Sequence, residues 1–352
     1  MLRFSTILRR ATFAGVAIVA LGFGLLPGAE ANAENGKRIC VSWRHFQEER
    51  WRIDEAGIKS VLGPAGYTYV SADAQGDPQK QMTDVDSLLS SKCDAAIILA
   101  QDSKTIIPAV AQAKAANVPV IAYDVPIDSP DVTFISFDNV AVGRQMAEAM
   151  VKVKDNGNWA LIEGDAAMTI INLFRDGQMQ VLKPLIDKSQ IKVVAKQNIE
   201  NWKPDLAQAA MEQILTQTNN KVDAVLAMND GMSTGVAAAL ASQKMLGIPL
   251  SGQDGDKVVL NRIAKGQQTV TVWKNSYNLG QAAAKAAIEM AEGKPVTGTK
   301  PFKTETGQTQ PSLLLPPVAI TKDNLNLVVD ANWISKAELC NGVTANPPAA
   351  CK

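Results

Sequence analysis

The chain has 352 residues but only one histidine, His45. Zinc sites usually draw on histidine or clustered cysteine, and an α/β-hydrolase needs a histidine later in the chain than its serine nucleophile. Ser233 lies in GMSTG (Gly231–Gly235), which fits the nucleophile-elbow motif, yet His45 lies far upstream. The phosphate-cradling pattern G-x-x-x-x-G-K-[ST] is missing as well. The sequence therefore argues against catalysis by Ser233, and we expect no cofactor and no metal.

The chain also lacks an excess of charge of either sign. Lysine and arginine together number 35, as do aspartate and glutamate. Without a net field, nothing draws the protein to nucleic acid or anionic lipid. We expect no nucleic-acid partner.

Long apolar runs are missing beyond the N-terminus, where residues 1–33 predict a signal peptide. Three arginines precede an apolar stretch at residues 11–26, and Ala31-Asn32-Ala33 offers a small-x-small cleavage site, with residues 29–31 as a second candidate. The apolar stretch is shorter than the ~20 residues of a spanning helix. We therefore expect a soluble protein exported to the periplasm. This export signal occupies the place where a transcription regulator would carry its helix-turn-helix.

Four cysteines in an exported chain are candidates for disulfides. Cys340 and Cys351 flank a short loop rich in Pro and Asn and are predicted to form a bridge. Cys40 lies in the first predicted strand and Cys93 just before the third. For this second pair the sequence allows a bridge or two free buried thiols.

Apolar strands alternate with helical stretches in two successive series. The first series has strands at 38–43, 68–71, 94–100, 118–124 and 132–136, and the second at 158–164, 191–197, 222–228, 248–252 and 269–274. Continuous apolar strands separated by helices predict an α/β protein with two doubly wound parallel-sheet lobes. A helix at 279–291 and an apolar run at 313–320 remain, so we expect three crossings through a multi-strand hinge. The predicted lobes are 34–137 plus 276–310, and 138–275 plus 311–352.

Polar and aromatic side chains follow the predicted strands of both lobes. The candidate ligand-binding residues are Arg50, Trp51, Asp124, Arg175, Trp202, Asn229, Asp254 and Lys274. Ligands of open parallel sheets bind outside the carboxyl ends of the strands. Carboxylates and amides suit hydroxyl groups, and aromatic rings suit the C–H faces of a sugar. Taken singly, Trp51 fits a core position and the aspartates fit helix caps, but their common placement favours ligand contact.

Ordered segments across the chain resemble the periplasmic xylose-binding protein family, the solute-binding components of sugar ABC importers. They include FQEERW (46–51), IAYD (121–124), LFRDGQM (173–179), AMND (227–230), SGQD (251–254) and RIAKGQQTVTVWK (262–274). The resemblance implies a type I periplasmic binding protein fold and capture of xylose or a related aldose. It implies an inner-membrane ABC permease as partner, with a chemoreceptor as a further one, and a monomer. It also implies that the eight candidates contact the sugar, with Trp51 and Trp202 on opposite faces of the ring.

Two positions depart from the family pattern. Val125 follows Asp124 where the family has arginine, and Ile170 stands where an asparagine is expected. The loss of two donors predicts a ligand of different stereochemistry or with fewer hydroxyl groups than xylose. Trp43, His45 and Gln101 are candidates to compensate.

Two alternatives to a xylose importer component remain at this point. One is a binding protein for another sugar or a polyol that feeds chemotaxis. The other is an exported glycoside-processing enzyme in which Asp124 and Asp254 face each other across the substrate.

Overall fold

The computed structural model describes residues 36–352, so the predicted signal peptide lies outside the described residues. The strands of the first sheet are β1 (Arg38–Trp43), β2 (Thr68–Asp73), β3 (Ala95–Ile98), β4 (Val120–Tyr123), β5 (Val132–Phe137), β11 (Lys300–Lys303) and β12 (Thr309–Leu315). Their order is β11-β12-β5-β4-β3-β1-β2. All neighbours pair in parallel except β11 with β12. β3, β4 and β5 are buried along their whole length, and β3 and β4 are apolar throughout, as expected for a parallel sheet covered on both faces.

The helices of this first lobe are α1 (Arg50–Leu62), α2 (Pro78–Ser90), α3 (Ile107–Ala115) and α9 (Ser276–Ala291). Helices α1 and α9 approach each other closely through glycine. A Cβ on Gly280 would lie 2.2 Å from the carbonyl oxygen of Asp54, and one on Gly57 would lie 2.3 Å from that of Tyr277. This contact fixes α1, whose first two residues are Arg50 and Trp51.

The second lobe contains the remaining strands in two three-stranded sheets. They are β6 (Gly157–Glu163), β7 (Ile191–Asn198), β8 (Ala224–Ala227), β9 (Gln253–Asp254), β10 (Thr271–Trp273) and β13 (Val318–Ile320). The orders are β7-β6-β8 and β13-β10-β9, and a bridge between Val225 and Leu250 links the two. The helices are α4 (Asn139–Val153), α5 (Ile170–Asp187), α6 (Pro204–Gln217), α7 (Asp230–Ser242), α8 (Lys257–Ala264), α10 (Asn326–Asp330) and α11 (Lys336–Leu339). The predicted two-lobed α/β fold is confirmed.

The chain passes three times between the seven-stranded sheet and the two three-stranded sheets, after β5, after β10 and after β12. Residue 310, where we predicted a lobe boundary, lies within β12. Strand β12 pairs with β5, with Ser312 opposite Phe134 and Leu315 opposite Phe137. Residues 309–315 thus complete the first sheet, and Pro316-Pro317 ends the strand before β13 joins the second lobe.

Two disulfides are present among the described residues, Cys40–Cys93 and Cys340–Cys351. The first joins β1 to the segment that leads into β3, its neighbour in the sheet. The second closes a C-terminal segment over a small separate core that includes Val259, Ile320 and Leu339. Between residues 36 and 352 no helix is long and apolar enough to cross a membrane.

Candidate functional site

A small cavity lies where the carboxyl ends of strands from both lobes meet. The side chains that line it are Arg44, Glu48, Arg50, Trp51, Asp124, Met168, Ile170, Phe174, Trp202, Asn229, Gln253, Asp254 and Lys274. The structure therefore brings together every predicted site residue except Arg175. First-lobe and second-lobe side chains face each other across this cavity.

Arg50 is the centre of the charge network. From the first turn of α1, its guanidinium donates to Asp54 Oδ2 through Nε at 3.3 Å, to Asp124 Oδ1 through Nη2 at 2.9 Å, and to Asp254 Oδ1 through Nη1 at 3.1 Å. Burial alone would lower its pKa, but the three carboxylates raise it well above the ordinary value for arginine. Arg50 is therefore a permanent cation that links the two lobes.

Lys274 is the second cation of the cavity. It is almost completely buried at the point where the chain leaves β10 for α9, and its Nζ lies 3.1 Å from Asp254 Oδ1 and 3.9 Å from Asp124 Oδ1. Both cations thus use the Oδ1 atom of each carboxylate. The Oδ2 atoms of the two aspartates receive no hydrogen bond from the part of the chain that the structure describes, and are available to hydroxyl groups of a ligand.

Asp124 and Asp254 both have backbone conformations that are rare for side chains other than glycine, with φ of 59° and 107°. The residues turn the chain sharply at the ends of β4 and β9. Burial would raise the pKa of Asp124, but Arg50 and Lys274 hold it below the ordinary value. A glycosidase needs one carboxyl whose pKa is raised so that it can act as general acid. Asp124 is therefore unsuited to that role.

Asp54 accepts a hydrogen bond from Arg50 and another from Tyr123. Tyr123 donates to Asp54 Oδ1, and both side chains are fully buried. Burial, only partly offset by Arg50 and the tyrosine hydroxyl, raises the pKa of Asp54 to about 7. The orientation of the guanidinium is thus determined by a hydrogen-bonded chain within the first lobe.

Trp51 is a cavity wall and a core residue at once. Its Nε1 donates to Glu48 Oε2 at 2.6 Å, and its ring lies 6.4 Å from that of Trp43. The guanidinium carbon of Arg50 lies 4.2 Å from the centre of the Trp51 ring. These contacts leave the indole little freedom, which favours a preorganised surface for a flat ligand.

Trp202 lines the cavity from the second lobe. It follows β7 in a short 3₁₀ turn with a φ of 58°, and its Nε1 donates to Met168 Sδ at 3.1 Å. Phe174 meets the indole edge-on, with ring centres 6.4 Å apart. The ring lies over Gly164, where a Cβ would be 2.0 Å from a ring carbon. Only glycine leaves room for this ring.

Asn229 and Asp230 organise the polar end of the second lobe. Asn229 caps α7 by accepting from the Met232 backbone at 2.9 Å. Asp230 is completely buried and accepts from the backbone nitrogens of Gly255 and Asp256 at 2.9 Å each. The capping role and the cavity-lining position of Asn229 therefore coexist, and Asp230 holds the loop that carries Asp254.

Arg175 lies apart from the cavity. Its Nε and Nη2 donate to Glu163 at 3.0 and 2.6 Å, and its Nη1 donates to Asn172 at 2.7 Å. The pKa of Arg175 is raised by the Glu163 hydrogen bonds. Its helix position on α5 turns it towards β6, so in this structure it supports the second lobe.

Sequence reasoning missed Arg44, Glu48, Met168, Phe174 and Gln253 as cavity residues. Phe174 and Gln253 lie directly before the predicted residues Arg175 and Asp254 in LFRDGQM and SGQD, and this proximity could have identified them. Arg44 directly follows β1, as Asp124 directly follows β4, so its position after a parallel strand could have identified it. The proposed compensating residues do not line the cavity, but Gln101 accepts from Arg44 Nε at 3.1 Å.

Comparison with known proteins identifies the class. A model of the periplasmic binding protein domain matches residues 39–295. The D-xylose-binding periplasmic protein of Escherichia coli is 34% identical over 318 residues, which is 90% of this chain and 96% of that protein. The protein of the same name from Haemophilus influenzae is also 34% identical, over 83% of this chain and 88% of that one. The chain belongs to the periplasmic binding protein family and, within it, to the xylose-binding group.

A solved structure of a sugar-binding protein has a similar fold. The carbohydrate transporter solute binding protein of Chloroflexus aurantiacus, in complex with D-glucose, has a TM-score of 0.79 at 26% identity and covers 86% of this chain and 98% of its own. The type I periplasmic binding protein fold is thereby confirmed.

These relatives are substrate-binding proteins, not enzymes. Ser233 is fully buried inside α7 and donates to the Asp230 carbonyl at 3.0 Å, so it is a helix residue. Within residues 36–352 there is also no group of three or more metal-ligating side chains.

Proposed function

We propose that this protein captures a monosaccharide, xylose or a related aldose, between its two lobes and delivers it to an inner-membrane ABC permease. The observation that carries the proposal is the cavity itself. Asp124 and Asp254, one from each lobe, are held by Arg50 and Lys274 so that each presents a free oxygen. Two such carboxylates between the indoles of Trp51 and Trp202 suit vicinal hydroxyls on a ring with apolar faces.

The relatives support the same reading. The names of the two proteins at 34% identity specify D-xylose, and the glucose complex shows that a protein of this fold holds an aldose. Ile170 lines the cavity and Val125 is buried next to Asp124, and neither side chain can donate a hydrogen bond to a sugar. We therefore include aldoses other than xylose in the proposal.

The lobes act by closing on the sugar. Residues 36–137 with 276–315 form one body in this proposal, and residues 138–275 with 316–352 form the other. Contacts from both bodies exist only when they are together, so the bound sugar favours the closed form. We place the protein in the periplasm, exported by its N-terminal segment, as a monomer whose closed form docks on the permease and on a chemoreceptor.

Isothermal titration calorimetry with purified protein tests the function. The panel holds D-xylose, L-arabinose, D-ribose, D-glucose and xylitol. We expect at least one aldose to bind with a dissociation constant in the micromolar range or below. Failure of every sugar to bind would overturn the proposal, and release of reducing sugar from a glycoside would overturn the role of a pure binding protein.

A further inference from the structure

Arg44 carries a hydrogen-bond donor that the protein itself does not satisfy. The residue lies at the end of β1, lines the cavity, and is 1% exposed. Its Nε donates to Gln101 Oε1 at 3.1 Å and its Nη1 contacts Met168 Sδ at 3.0 Å, but Nη2 has no partner. A buried donor without a partner is costly, and native proteins retain few of them.

The surroundings of Arg44 hold it in one orientation. Gln101 accepts from it, while the Gln101 backbone nitrogen donates to Gln81 Oε1 at 2.8 Å and the Gln101 amide donates to Asn201 of the second lobe. The thioether of Met168 is a weak acceptor, and it is shared between Arg44 Nη1 and Trp202 Nε1. Two strong donors therefore point at one weak acceptor beside the cavity.

A second side chain with an unpartnered polar atom lines the same cavity. Gln253 is 3% exposed, lines the cavity from the second lobe, and its Oε1 has no hydrogen-bond partner. An unpaired donor on one lobe and an unpaired acceptor on the other are what a hydroxylated ligand would satisfy on closure.

The cavity that Arg44 lines also contains three carboxylates, those of Glu48, Asp124 and Asp254. Burial lowers the pKa of Arg44, and the attraction of Glu48, Asp165 and Asp124 only partly offsets this effect. His45 adds no positive charge, because burial and the nearby Arg44 lower the pKa of His45 to about 3. The carboxylates that line the cavity would repel an anionic group of a ligand, so we expect Arg44 to pair with a neutral oxygen.

We infer that Arg44 is a ligand-contacting residue that sets the specificity of this site, with its Nη2 donating to one oxygen of a neutral sugar. The inference rests on the proposed function and deepens it. The neighbouring wall of the second lobe is formed by Met168 and Ile170, which offer no strong hydrogen bond. On this side of the cavity, one sugar oxygen would accept a hydrogen bond from Arg44, and a neighbouring apolar part of the sugar would contact Ile170.

The test is calorimetry of Arg44→Met with the panel sugar that the wild-type protein binds most tightly, and with the monodeoxy derivatives of that sugar. Loss of a hydrogen bond to a charged donor should weaken binding by about 10- to 100-fold. For one deoxy derivative, the one that lacks the oxygen read by Arg44, the variant and the wild-type protein should bind almost equally. A merely structural role would weaken all derivatives by the same factor, and that result would overturn the inference.

Arg44→Lys keeps the charge without Nη2 and serves if the methionine variant does not fold. It should lose part of the affinity with the same dependence on one oxygen. Arg52→Met is the matched control, because the Arg52 side chain is 65% exposed and points away from the cavity towards Phe46 and Glu55. It should bind as the wild type does.

The outcomes separate the inference from the function on which it rests. Wild-type binding with an indifferent Arg44→Met overturns the role of Arg44 alone. Tighter binding of the corresponding uronate or aldonate than of the neutral sugar overturns the neutral-oxygen assignment. Absence of any wild-type binding removes the proposed function, and this inference with it.

Discussion

Gly164→Ala tests whether the position of Trp202 matters for binding, and the structure supplies the size of the perturbation. An added Cβ would lie 2.0, 2.1 and 2.3 Å from three ring carbons of Trp202. Ordinary contact begins at about 3.4 Å, so the ring must move by about 1.4 Å (3.4 − 2.0). The φ of Gly164 is outside the left-handed region, so the backbone itself accepts alanine.

The displaced indole should no longer stack on the ligand. Loss of a flat ligand's stacking on an aromatic ring costs ~1–3 kcal/mol, which is about 5- to 150-fold in the dissociation constant. Titration calorimetry with the tightest-binding sugar measures this loss. Denaturation by urea in the absence of sugar measures the cost of overpacking, ~1–3 kcal/mol, separately.

Gly63→Ala is the matched control for Gly164→Ala. Its Cβ would meet nothing closer than the Lys59 carbonyl oxygen at 3.5 Å, and its φ is −57°. In a Trp202→Ala background, Gly164→Ala should cause no further loss of affinity. Wild-type affinity of Gly164→Ala, or an equal loss in both backgrounds, would refute the reasoning.

Three further predictions concern stability. Arg50→Met removes the ion-pair partner of Asp54 and leaves Asp124 and Asp254 with Lys274 alone, so the free energy of unfolding should fall by ~3–5 kcal/mol in urea denaturation; a change below ~1 kcal/mol would contradict this. Because burial raises the pKa of Asp54 to about 7, its contribution to stability should be fully present below about pH 4 and lost as the pH rises through 7. Asp54→Asn should flatten that part of the stability–pH curve, and an unchanged curve would count against the shift. Cys340→Ser opens a bridge between residues 11 apart and should cost ~2–3 kcal/mol in thermal denaturation, whereas an unaltered midpoint would show the bridge to be dispensable.

Most residues that line the cavity could be predicted from the sequence, because residues directly after parallel strands lie at the same edge of the sheet. Residues such as Asp124, Asn229 and Asp254 follow strands directly, and the parallel topology places them at one edge whatever the details of packing. Arg175 differs because it lies a full turn inside α5, where the direction of a side chain depends on the helix rotation. The sequence pattern does not contain that rotation, and Glu163 at the end of β6 takes up its guanidinium.

The sequence pattern was also insufficient to assign residues 313–320 to their sheets. LLLPPVAI is one apolar run in the sequence, but its two halves belong to β12 and β13 in different lobes. Hydrophobicity predicts that both halves are buried and cannot tell which sheet has a free edge. The assignment depends on β5, because residues 309–315 pair with the edge of β5 that β4 does not occupy.

The charge network also fits the proposed binding of a neutral ligand. Arg50 reaches Asp254 across the lobes at 3.1 Å, and Lys274 approaches both aspartates from the crossing between β10 and α9. The pairs within each lobe, Arg50 with Asp124 at 2.9 Å and Lys274 with Asp254 at 3.1 Å, do not depend on closure and order the two carboxylates in advance, which lowers the ordering cost of binding. Because the cations occupy the Oδ1 atoms, a sugar can bond to the Oδ2 atoms without displacing a charge. Under the proposed function we therefore expect the ligand to favour closure through those oxygens, the two indoles and Arg44, and not by competing with the ion pairs.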